Sequence, residues 1–186
     1  MTLRLAAFAA LVAAPLLLEP APASAETPRG NLGLVVGGRQ NIGSLADDYR
    51  LGVSWGVRAG YHLMSEARPW SVGGDWSVVW SRFGATSDTV VASPLSVLEM
   101  NFGLGARFLL SETAAHFATV TVGGTLYRAN NPLPPDDERT HAGPYAGVGT
   151  DVFLSDEHLL SVEARYGLLS GGPRSLLLLA GISFGR

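Results

Sequence analysis

Residues 50–63 read Arg-Leu-Gly-Val-Ser-Trp-Gly-Val-Arg-Ala-Gly-Tyr-His-Leu and change character at almost every step. Leu51, Val53, Trp55, Val57, Ala59, Tyr61 and Leu63 alternate with Arg50, Gly52, Ser54, Gly56, Arg58, Gly60 and His62. Side chains of a strand point to opposite faces with period two, so one face of this segment is apolar and the other small or charged. The segment is long for a globular strand, where about 5–6 residues is usual. It is ample for a tilted strand crossing a bilayer, which needs about 9–11.

The pattern repeats. Strands are predicted at about 31–39, 50–63, 70–83, 95–110, 116–128, 142–154, 158–170 and 174–185. In the third, Trp70, Val72, Gly74, Trp76, Val78 and Trp80 oppose Ser71, Gly73, Asp75, Ser77, Val79 and Ser81. In the fourth, Leu98, Met100, Phe102, Leu104, Ala106, Phe108 and Leu110 oppose Val97, Glu99, Asn101, Gly103, Gly105 and Arg107. The eighth has Leu176, Leu178, Ala180, Ile182 and Phe184 on its apolar face, while Leu177 and Leu179 blur the other.

Charge decides which face meets what. Away from the strand ends, every charge falls on the Gly/Ser/Thr face: Arg58, Asp75, Glu99, Arg107, Asp151, Glu163 and Arg165. An Arg facing lipid at mid-depth costs about 2–4 kcal/mol, falling to about 0–1 near the interface. Arg82 and Arg128 lie on apolar faces but at strand ends, where that cost is small. A soluble periplasmic barrel binding an apolar ligand would need the reverse, an apolar interior and a charged exterior. These polar faces are too rich in Gly and too poor in charge to face water. Only 16% of residues are charged, against about 25% in soluble domains.

The connections agree. The first, third and fifth are long and polar, and the second, fourth and sixth are short. Outer-membrane barrels have an even number of strands, long external loops and short periplasmic turns, which puts both termini in the periplasm. The fold predicted is all-β: an eight-stranded antiparallel up-and-down transmembrane β-barrel. If Leu63 faces Trp70, Arg58 stands opposite Asp75, and an inward cross-strand ion pair is expected. Trp55, Tyr61, Trp70, Trp80, Tyr127, Tyr166 and Phe184 lie toward strand ends, where aromatic rings anchor barrels at the interface. Eight strands enclose a space that side chains just fill. The expected lumen is therefore a packed polar network of the seven mid-strand charges, with at most a very narrow path through it.

The N-terminus is a separate object. Arg4, the apolar run Leu5–Leu18 and Ala23-Ser24-Ala25 before Glu26 have the layout of a cleavable secretory signal peptide. Residues 1–25 are assigned to it and residues 26–186 to one barrel domain. The chain has no Cys and no Lys, and its formal net charge is −3. Thiol chemistry and Cys metal sites are thereby excluded, and there is no basic footprint for nucleic acid. No His pair has zinc spacing, and neither a cofactor nor a metal is predicted.

Strand number, alternation, loop asymmetry and leader together resemble the small outer-membrane barrels of the OmpA/OmpX type. The resemblance implies a Gram-negative outer membrane, with lipid, lipopolysaccharide and the barrel-assembly machinery as partners, and it leaves the oligomeric state open. It implies a structural or surface-interaction role without enzymatic activity. Family barrels usually end on Phe; here Phe184 lies two residues before the end. Some eight-stranded barrels instead acylate or deacylate lipid A with a Ser/His/acid set. Candidates for that alternative are His141 with Ser87 and Asp88 on the external side, or His158, Ser161 and Glu163 on the periplasmic side. His158 has lipid-facing parity whereas Ser161 and Glu163 point inward, which makes a catalytic hydrogen bond awkward.

Overall fold

The computed structural model describes residues 27–42, 46, 49–64, 69–84, 94–111, 115–133, 138–155, 157–169 and 174–185. Its elements are eight strands: β1 (Thr27–Ile42), β2 (Leu51–Met64), β3 (Trp70–Phe83), β4 (Leu95–Ser111), β5 (His116–Leu133), β6 (Glu138–Phe153), β7 (His158–Leu168) and β8 (Arg174–Gly185). Each pairs antiparallel with its neighbours in sequence, and β8 returns to β1, as in Leu34↔Ile182 and Gly38↔Leu178. Closure leaves no sheet edge, so every wall strand finds ladder partners on both sides, as a bilayer with no water to offer requires. The expected signal peptide lies outside the described residues.

The burial pattern is inside out relative to a soluble protein. Leu34 is 62% exposed and Leu104 69%, while Arg39 is 1% and Asp75 3%. The apolar residues face outward and the charges face the lumen. A water-soluble chain would bury the first set and solvate the second. Trp55 and Trp80 are directly opposed on the outer wall and stack with ring centroids 6.4 Å apart.

The structure corrects the sequence reading in four respects. First, β1, β5 and β6 are longer than predicted. β5 runs 18 residues and β6 16, so their hairpin rises well past the length needed to span. Its ladder is irregular between Arg128 and Leu133. Residues 129–133 and 138–141 are thus strand, not loop. The hydrophobic alternation fades there because the hairpin no longer faces lipid, but backbone pairing continues without it.

Second, the β2–β3 register is shifted by two residues from the one expected. Arg58 stands opposite Ser77, and Asp75 opposite Gly60. A shift of two preserves which face each side chain occupies. Third, Tyr127 does not belong to the interfacial girdle. It is fully buried inside, next to the outward Leu126 and Arg128.

Fourth, the lumen is not wholly polar. Val35, Val79, Leu177 and Leu179 form one buried apolar cluster, so the leucines that blurred the eighth strand face inward. Phe83, Leu95, Val97, Tyr127, Ala129 and Leu169 form a second, with Tyr49 packed against it. The second cluster sits at the end of the barrel away from the termini.

An inverted wall is directly testable. Leu34→Arg places a guanidinium at mid-depth against lipid and is expected to cost about 2–4 kcal/mol, whereas Arg128→Leu at the rim should change stability by no more than about 1. Urea titration of the barrel refolded into lipid vesicles measures both.

Candidate functional site

Inside the wall, all seven charges singled out in the sequence are buried, together with one that was not, Arg39. They fall into three groups at different heights. The middle group is a closed ring. Arg58 Nη2 lies 2.6 Å from Asp75 Oδ2, and Arg58 Nε donates to the same oxygen at 2.9 Å. Arg58 Nη1 reaches Glu163 Oε2 at 3.3 Å. Arg165 completes the circuit, with Nε 2.9 Å from Glu163 Oε1 and Nη2 3.4 Å from Asp75 Oδ1. Two guanidinium groups and two carboxylates therefore alternate around four sides. Thr121 Oγ1 donates to Glu163 at 2.7 Å, and Arg165 Nη1 donates to Ser77 Oγ at 2.5 Å. Strands β2, β3, β5 and β7 are tied across the lumen.

The expected Arg58–Asp75 pair thus forms despite the shifted register. Asp75 is two residues from the position opposite Arg58. Diagonal neighbours of that kind sit about 7–8 Å apart at the backbone, within reach of long side chains.

Below the ring, toward the termini, Arg107 Nε donates to Asp151 Oδ2 at 2.7 Å. Above it, Arg39 pairs with Glu99, and Asn101 links Glu99 at 2.8 Å to Ser77 at 3.3 Å. Arg39 also lies over the Tyr127 ring, 5.3 Å from its centroid, and Arg165 over Tyr145 at the same distance. Arg39 closes a charge count. The seven sequence candidates hold three Arg and four carboxylates; with Arg39, the buried Arg, Asp and Glu among the described residues number four and four. Arg39 is missed by sequence because it stands at the end of the predicted first strand. Its inward parity with Val35 and Gly37 was the available signal.

Glycine makes room for the ring. A Cβ at Gly147 would collide with Thr121 Oγ1 and Glu163 Oε1, and one at Gly103 with the Tyr145 hydroxyl. These positions are held small by the polar groups that fill the lumen over them.

The periplasmic hydrolytic set is not assembled, and of the external set only His141 lies among the described residues. His141 lies in β6, buried at 3%, and meets the Tyr127 ring edge-on at 6.3 Å. Ser87 and Asp88 lie outside the described residues. His158 Nδ1 hydrogen-bonds Ser155 at 2.8 Å, and its ring packs on Phe184. Glu163 is engaged by Arg165, Arg58 and Thr121, while Ser161 Oγ reaches toward the Gly181 carbonyl. Among the described residues no cluster of His, Asp and Glu is arranged to hold a metal.

A closed eight-stranded wall, apolar outside and ion-paired inside, matches a known family. The sequence fits the outer membrane protein beta-barrel domain over residues 6–177. The chain belongs to that family. Membership places it in the outer membrane of a Gram-negative bacterium. Solved barrels of the same architecture include Ail, the attachment invasion locus protein of Yersinia pestis, at TM-score 0.57 and 13% identity, covering 86% of this chain and 97% of that one. OprG from Pseudomonas aeruginosa matches at TM-score 0.54 and 9% identity, covering 87% and 97%. The N-terminal barrel of Pseudomonas aeruginosa OprF matches at 0.53 and 8%, covering 87% and 98%. At such identities the likeness is one of fold. No curated protein matches the sequence.

Removing one member of the ring leaves buried charge uncompensated. Glu163→Ala is expected to cost about 3–5 kcal/mol, while Glu163→Ala with Arg165→Met restores neutrality and should recover part of that loss. Paired denaturation curves in vesicles test the difference.

Proposed function

We propose that this chain is an integral outer-membrane barrel with a structural or surface-interaction role, a plugged lumen and no enzymatic activity. Residues 1–25 act as its export signal, and both termini face the periplasm. Outer-membrane lipid and lipopolysaccharide surround it, and the barrel-assembly machinery inserts it. The observation that carries the reading is how the lumen is filled. The Arg58–Asp75–Arg165–Glu163 ring crosses it at mid-height, and the apolar cluster of Phe83, Leu95, Val97, Tyr127, Ala129 and Leu169 occupies the loop end. An ion moving through would have to break buried pairs and then pass packed apolar side chains, both costly.

The orientation rests on asymmetry between the two ends. At the end bearing the termini, strands join through residues 65–69, 112–115 and 154–157; the other end carries 43–50, 84–94, 134–137 and 169–173. The loop end also carries the β5–β6 extension, which offers a raised, paired surface for contact outside the membrane. Lipid A modification by the periplasmic set is disfavoured by the same geometry, since His158 is held by Ser155 and Glu163 by Arg165, Arg58 and Thr121.

In planar bilayers, the wild-type barrel is expected to show no stable single-channel steps. Phe83→Ala with Leu95→Ala thins the apolar layer and should raise the ionic leak. Steady openings of the wild type would overturn the plugged reading. Because the chain lacks Cys, orientation can be probed with single cysteines. Asp136→Cys is expected to react with a membrane-impermeant maleimide on intact cells, and Glu157→Cys only after the outer membrane is opened. The reverse pattern would invert the barrel.

A further inference from the structure

The outer wall carries a furrow of about 460 Å³ near the terminus end, spread over β2 to β5. Its floor is small: Val72, Gly74 and Ala106, with Val122 beside them. Its sides are Tyr61, Trp70 and Phe108. These residues share the outward parity of the lipid face. Gly74 is the reason the surface dips there. A Cβ placed on it meets nothing within 4 Å, so the hollow is open space and not a tight backbone approach. The floor residues are half-buried although they point outward, because the aromatic walls stand above them.

From this furrow we propose a binding site for one acyl chain of a glycerophospholipid in the periplasmic leaflet. The volume falls within the about 300–1,000 Å³ usual for ligand sites. Along β3 the furrow runs from Gly74 to Trp70, about 13 Å of strand. At the usual strand tilt of about 40° that is about 10 Å of depth, within one leaflet of the ~25 Å apolar band of an outer-membrane barrel. The shape suits a narrow flexible chain lying between aromatic walls, which also offer ring faces to its methylene groups.

A second copy of the chain fits poorly. Three strand spacings by that length give a patch of about 200 Å², against about 800 Å² per partner in a stable interface. A barrel wall is also convex and cannot fill a furrow. The choice of phospholipid over lipopolysaccharide rests on the orientation proposed above, which sets the furrow in the inner leaflet. The cysteine-labelling experiment tests that orientation separately.

Native mass spectrometry of barrel extracted gently from outer membranes tests the site. The expected result is one glycerophospholipid retained per chain. Gly74→Leu with Ala106→Leu fills the floor and should reduce the lipid-bound fraction at least fivefold. Gly124→Leu, at another outward glycine with open space above it, should leave the fraction unchanged. Heat-modifiable migration on gels confirms that each variant is folded; if the double variant is not, Ala106→Leu alone should lower the bound fraction. A wild-type barrel carrying no lipid, carrying lipopolysaccharide instead, or appearing as a dimer would overturn the proposal. So would equal loss in the filled and control variants.

Discussion

Charge enclosed by a closed wall has nowhere to go. A residue facing the lumen of an eight-stranded barrel sees other side chains within a few ångströms in every direction, and an unpaired ion there carries a heavy desolvation cost. The interior of this protein answers with a balanced set: four guanidinium groups and four carboxylates among its described buried Arg, Asp and Glu residues. The rest of the structure is arranged around that balance. Gly147 stays small so that Glu163 and Thr121 can meet over it. Ser77 accepts from both Arg165 and Asn101, joining the ring to the Arg39–Glu99 level above. The outer wall can be plain hydrocarbon because the mid-strand charges have been moved inside and paired there.

This division explains why so much is legible in the sequence. Lipid and lumen are chemically opposite, so each spanning strand writes its orientation into alternate residues. Trp76 and Asp75 could not exchange places without a heavy cost. The alternation fixed strand number, the inward charges and the parity of Arg58 with Asp75. It could not fix register, because sliding by two residues leaves every face unchanged. That is how Arg58 came to stand opposite Ser77 while keeping its partner. A long flexible guanidinium tolerates the difference, so the pair was predictable although its backbone placement was not.

What was not legible lies where lipid stops dictating. Arg39, Tyr127 and His141 all sit toward the loop end, on strand segments that run past the predicted limits or stand at them. There the outward face no longer needs to be apolar, and the period-two signal weakens, but the ladder continues through backbone hydrogen bonds. The inward apolar residues were legible in parity but not in their clustering. Val35, Val79 and Leu177 face a lumen that tolerates either polarity provided it is filled. Pattern reading detects a contrast between faces, and an apolar residue on both faces removes the contrast.

The lumen is therefore asymmetric along its axis in a way the sequence does not announce. Toward the loops it carries the larger apolar cluster, in which Phe83, Leu95 and Tyr127 are fully buried, with Arg39 and Asn41 buried at the same end. Toward the termini it is polar. Both ring nitrogens of His62, Ser71 Oγ and Asp151 Oδ1 are buried there without a side-chain or backbone partner. Buried polar atoms in that condition call for bridging water, and a cleft of about 20 Å³ at the same end, lined by Arg29, Arg107 and Glu157, has room for about one water molecule. The barrel thus carries unlike fillings at its two ends, an ion pair with unpartnered polar atoms toward the termini and a larger apolar cluster toward the loops, with the charge ring between them.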